Sequence, residues 1–170
     1  IKKMENRIDK KFFNLKKQNK KALTCFVTSC DPSLELSEKI INSLPNYGAD
    51  IIEIGIPFSD PMADGPTIQR SSLRAIKSKS NISKTFKIIK NFRIRNKTTP
   101  IILMGYFNPI FQFGLDSFFS QGRIVGIDGI IIVDLPPEED YLIKKHTLKN
   151  NIYNIRLIAP TTSKERIKKI

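Results

Sequence analysis

The chain has little with which to cross-link itself or hold a metal: two cysteines, Cys25 and Cys30, and one histidine, His146, in 170 residues. Two thiols so close together suit neither a disulfide framework nor a zinc site, and both read as ordinary thiols. His146 lies in a lysine-rich stretch and is assigned no role. No run approaches the roughly 20 apolar residues that a membrane-spanning helix needs. The basic start Ile1-Lys2-Lys3 leads into no apolar core of a secretory signal, so a cytoplasmic protein is expected. Also missing is a Gly-x-Gly-x-x-Gly turn after the first apolar run, where the chain reads Thr28-Ser29-Cys30-Asp31-Pro32, and this argues against a dinucleotide-binding sheet.

Acidic charge is scarce too, 16 Asp and Glu against 29 Lys and Arg, for a formal net charge of +13. That excess invites a nucleic-acid or anionic-membrane reading, so its distribution decides. Residues 22–69 hold one basic and seven acidic side chains, whereas residues 1–21 hold nine basic and two acidic. The excess falls on segments with helical periodicity, and the segment that carries the motifs is acidic. Solvated helix faces therefore explain the charge better than a binding stripe, and no nucleic-acid motif is present.

What is there is a repeat of short apolar runs between amphipathic stretches. The runs are residues 23–27, 49–54, 101–104, 129–133 and 155–158; they are nearly continuous in Val, Ile and Leu, as strands buried on both faces are. Ser33 is placed to cap a helix with Leu36, Ile40, Ile41 and Leu44 on one face, and Pro45 should shorten or kink its last turn. Pro66 suits the first turn of an extra helix at 66–78, Ser83 precedes a helix at 83–95, and Pro137 with Glu138, Glu139 and Asp140 suits the start of another. Five β/α units in a row predict an α/β fold, a partial (β/α)8 TIM barrel of about five parallel strands and flanking helices. A full barrel takes roughly 250 residues, so the expectation is one barrel domain over 1–170 that stops short of closure, with Met4 as its natural start.

Two carboxylates stand out in residues 51–66. Glu53 interrupts an apolar strand, and alternation puts it on the inner face with Ile51 while Ile52 and Ile54 face the helices. A buried carboxyl resists ionisation, which suits a general acid-base catalyst; the competing reading is a structural carboxylate paired with a buried cation. Asp64 lies in a loop between Pro57, Pro61, Gly65 and Pro66, where it could act in catalysis or simply cap the next helix.

The run from Glu53 to Gln69, Glu-Ile-Gly-Ile-Pro-Phe-Ser-Asp-Pro-Met-Ala-Asp-Gly-Pro-Thr-Ile-Gln, resembles the signature of tryptophan synthase α subunits. The likeness continues through Phe26-Val27-Thr28, Asp31-Pro32, Leu73-Arg74-Ala75, Tyr106-Phe107-Asn108 and Asp134-Leu135-Pro136, and covers the chain from about Met4 onward. It implies a carbon-carbon lyase of tryptophan biosynthesis that cleaves indole-3-glycerol phosphate into indole and glyceraldehyde 3-phosphate, with no metal and no organic cofactor. By the same resemblance Glu53 protonates the indole ring and exchanges protons with the glycerol hydroxyl, and Asp64 contacts the indole N–H. Phe26 and Tyr106 match positions lining the indole pocket. Pro57, Asp60, Pro61 and Asn108 match the rim facing the β subunit, the pyridoxal phosphate enzyme that receives indole in an α2β2 heterotetramer.

Some positions depart from the family. Ser29-Cys30 stand where a glycine usually precedes the aspartate, and the glycine-rich loops that grip the substrate phosphate in the family have no counterpart. The 170 residues are therefore expected to be inactive by themselves. The alternative is a non-catalytic partial barrel with only binding or scaffolding capacity.

Overall fold

The structure, a computed structural model, describes residues 6–170; Ile1, the two lysines after it and Met4 lie outside the described residues. Five parallel strands, β1 (Thr24–Thr28), β2 (Ile51–Gly55), β3 (Ile101–Gly105), β4 (Gly129–Ile132) and β5 (Tyr153–Asn154), lie side by side in chain order. That order decides between the two architectures open to repeated β/α units. A doubly wound sheet reverses direction at a switch point, whereas a barrel adds each strand beside the last, as here. Both faces are covered. Ile52, Ile54, Ile101, Leu103, Ile130 and Ile132 pack against helices, while Ile51, Ile102 and Ile131 form a separate inner cluster with Ile8.

Ile8 comes from α1 (Arg7–Lys17), which closes the end where the strands begin. Asn6 caps this helix by accepting from the Ile8 N–H, and its amide donates to the carbonyl of Asp128 just before β4. Asp128 is 3% exposed and binds both Arg7 and Arg93 at 2.7 and 2.9 Å, while also accepting from the Ile101 N–H. The outer layer then follows as α2 (Leu34–Ser43), α3 (Pro66–Lys77), α4 (Ile82–Arg95), α5 (Phe107–Phe113), α6 (Leu115–Val125), α7 (Tyr141–Asn150) and the short α8 (Lys164–Ile167).

Several boundaries differ from those read in the sequence. Ser33 does cap α2, but Leu36 and Ile40 are exposed and Ile41 is the fully buried member of the expected face. After Ser43 the chain tightens into a 3-10 turn over Leu44–Tyr47 that holds Pro45 and ends at Gly48 with φ 99°. Asn81, not Ser83, caps α4 by accepting from the Lys84 N–H. The fifth strand is two residues long and lies upstream of the apolar run at 155–158; Leu157 and Ile158 are each 61% exposed. The ladder to β4 ends at the bond from the Ile155 N–H to the Ile130 carbonyl, and the Arg156 guanidinium donates to the Leu135 carbonyl. No helix among the described residues is long and apolar enough to cross a membrane.

Candidate active site

Glu53 lies in the middle of β2, level with Phe26 on β1 and Ile102 on β3. Residues level with one another in a parallel sheet share a face, and Ile51 and Ile102 belong to the inner cluster, so Glu53 is on the inner face too. Its side chain is half-buried, and among the described residues it makes no hydrogen bond or ion pair. Burial alone pushes its pKa above the ordinary carboxyl range, since no cation compensates for lost hydration. The competing reading required a cation beside it, and the described residues supply none.

Two glycines shape the space toward the strand tips. A Cβ on Gly55 would lie 2.6 Å from the Phe26 Cζ, so the Phe26 ring occupies the place where a side chain would otherwise stand. A Cβ on Gly105 would approach Ile56 to 3.2 Å. Phe26, Thr28, Gly55, Met104, Tyr106 and Asp64 line one narrow cleft at this end.

Asp64 reaches the cleft from the loop between β2 and α3. It does not cap α3: the N-cap is Gly65, with no side-chain hydrogen bond. Instead its carboxylate accepts from the Tyr106 hydroxyl at 3.2 Å, and that hydroxyl accepts from the Ala63 N–H at 2.9 Å. Tyr106 thus ties the loop to the end of β3. Burial, opposed by the Ala63 N–H and reinforced by the Asp64 charge, raises the Tyr106 pKa, so the phenol stays protonated and keeps donating. The Phe58 ring packs on Tyr106 with centroids 5.2 Å apart.

The four expected rim residues are spread along the loops on the same side. Pro57 and Pro61 are half-buried, Asp60 is exposed and accepts from the Ser59 hydroxyl, and Asn108 is exposed in the first turn of α5. Sequence reading did not single out Asp134, whose carboxylate accepts from the Phe107 N–H at 2.7 Å and anchors the start of α5 beside β4. Its place right after an apolar run, before Leu135-Pro136, was the available signal. Among the described residues no group of three or more His, Cys, Asp or Glu side chains is placed to hold a metal ion.

Comparison with known proteins covers nearly the whole chain. A family profile described as tryptophan synthase alpha chain matches residues 12–170. The tryptophan synthase alpha chain of Legionella pneumophila is 43% identical and superposes with a TM-score of 0.92 over 97% of this chain. The α2β2 tryptophan synthase complex of Pyrococcus furiosus contains a chain 38% identical, with a TM-score of 0.80 over 87% of this one. A Mycobacterium tuberculosis tryptophan synthase chain, 29% identical, superposes with a TM-score of 0.90 over 96%. The 170 residues span 62% of the Legionella chain, 59% of the Pyrococcus chain and 65% of the Mycobacterium chain.

Proposed function

The chain belongs to the tryptophan synthase alpha chain family, and we propose that its site serves the retro-aldol cleavage of indole-3-glycerol phosphate to indole and glyceraldehyde 3-phosphate. The observation that carries this reading is the unpartnered, half-buried Glu53 on the inner face, its pKa raised by burial. Indole leaves poorly until the ring carbon bearing the side chain is protonated. Glu53 in its acid form donates that proton, and Asp64, held by Tyr106, offsets the positive charge that develops at the ring nitrogen. The bond from the ring carbon to the adjoining glycerol carbon then breaks, and its electron pair returns to the ring. The hydroxyl on that glycerol carbon becomes the aldehyde, and its proton goes back to Glu53. One carboxyl gives and regains one proton, so no co-reactant is required.

Phe26 and Tyr106 flank the indole in this scheme. The loop carrying Pro57, Asp60 and Pro61, together with Asn108, faces a β subunit, which holds the pyridoxal phosphate and consumes the indole; an α2β2 assembly of the kind named for the Pyrococcus relative follows. The 170 residues form one barrel domain in this reading, and by themselves they lack the phosphate-gripping loops expected of the family. Turnover is tested on the chain continued through the part of the Legionella relative that it does not match. That protein should release indole from indole-3-glycerol phosphate, and Glu53→Gln should abolish release while circular dichroism shows the fold intact. Normal turnover by the variant would end the assignment.

A further inference from the structure

The end of the sheet opposite Glu53 holds a groove of about 600 Å³ where α1 meets the loops leading into β3, β4 and β5. Arg7, Lys10, Lys11, Lys97 and Arg123 face it, and Asp128 is the one carboxylate that lines it among the described residues. That carboxylate is already shared, since Arg7 and Arg93 hold its two oxygens. Lys11 reaches Asp50 only at 3.4 Å, and Arg123 uses one nitrogen on the Lys149 carbonyl, which leaves the rest of its fork unused. The exposed Lys97 ammonium makes no hydrogen bond or ion pair among the described residues. A concave surface with excess charge of one sign concentrates the opposite ion, and guanidinium forks suit phosphate oxygens. The cations converge from three separated stretches of chain around a hollow. They do not form a stripe along one helix, and this favours a compact multivalent anion over an extended backbone.

From this placement we infer that the groove binds a small oligophosphate anion, independently of the site at Glu53. Tripolyphosphate is the probe, titrated by calorimetry into the full 170-residue chain at low salt. One saturable site is expected, with affinity falling as salt rises past the point where the screening length is about 10 Å. The double variant Lys97→Gln/Arg123→Gln should weaken binding by about tenfold. Lys87→Gln/Lys90→Gln, an equal change of net charge on exposed positions of α4 outside the groove, should leave it unaltered. Should the first pair fail to fold by circular dichroism, Lys97→Gln alone must still weaken binding. Equal weakening by both pairs, absence of saturation, or a single-stranded oligonucleotide that binds more tightly and depends equally on all four residues would show general attraction to polyanions and overturn the site.

Discussion

A carboxyl that is half out of water and has no counter-charge favours its neutral form, and at Glu53 this links stability to pH in a definite direction. Because its pKa in the folded chain is raised above the unfolded value, the native state holds the extra proton between the two. Stability attributable to this group is therefore lost as pH rises through that window and stays lost above it. Glu53→Gln should raise the melting temperature at pH 7 and lose that advantage below about pH 4, where both forms of the glutamate are protonated. A melting series that runs the other way would mean that Glu53 has found a cation. The inward direction of Glu53 was legible in the sequence, because alternation in a strand with Ile51, Ile52 and Ile54 leaves it nowhere else to point. The bond from Tyr106 to Asp64 was not legible, since it joins residues 42 positions apart through a loop without periodicity. Cys30 is instructive in the same way. With φ 61° it takes up the left-handed conformation that a glycine adopts without strain.

Among elements, the join of α1, α4 and β4 rests on one buried acid. Removing Asp128 leaves Arg93 buried without its counter-charge, and burial already lowers the Arg93 pKa to about 10. Asp128→Ala should cost about 3–5 kcal/mol in urea unfolding, well above a typical surface substitution. Gly55→Ala tests the close approach of β1 and β2 through a different readout. The added methyl must displace the Phe26 ring, at a cost of about 1–3 kcal/mol and with a visible change in the ring's NMR shifts. The first four strands were legible as apolar runs, whereas their side-by-side order was not, because repeated β/α units suit a doubly wound sheet as well as a barrel. The fifth lies upstream of its apolar run, with Leu157 and Ile158 exposed, and apolar content alone did not mark where pairing stops. The closure by α1 rests on Asn6 meeting Asp128, 122 residues away, and nothing local announces it.

For the molecule as a whole, β1 and β5 are the edges of a five-stranded sheet, each with a neighbour on one side only among the described residues. Unpaired edges seek partners, so the 170 residues by themselves should self-associate, visible as concentration-dependent sedimentation; a monomer at all concentrations would show the edges are protected. The two ends of the sheet also differ in character. Carboxylates and aromatic rings gather where the strands finish, and cations gather where they start. A net charge of +13 hides this division, which the acidic stretch 22–69 and the basic stretch 1–21 announce only in part. The proposed proton transfer depends on one property of Glu53, and titration of its carboxyl, resolved by carbon-13 NMR, measures that property directly. The account predicts a midpoint clearly above the ordinary glutamate value of about 4.3. A midpoint at or below that value would contradict it.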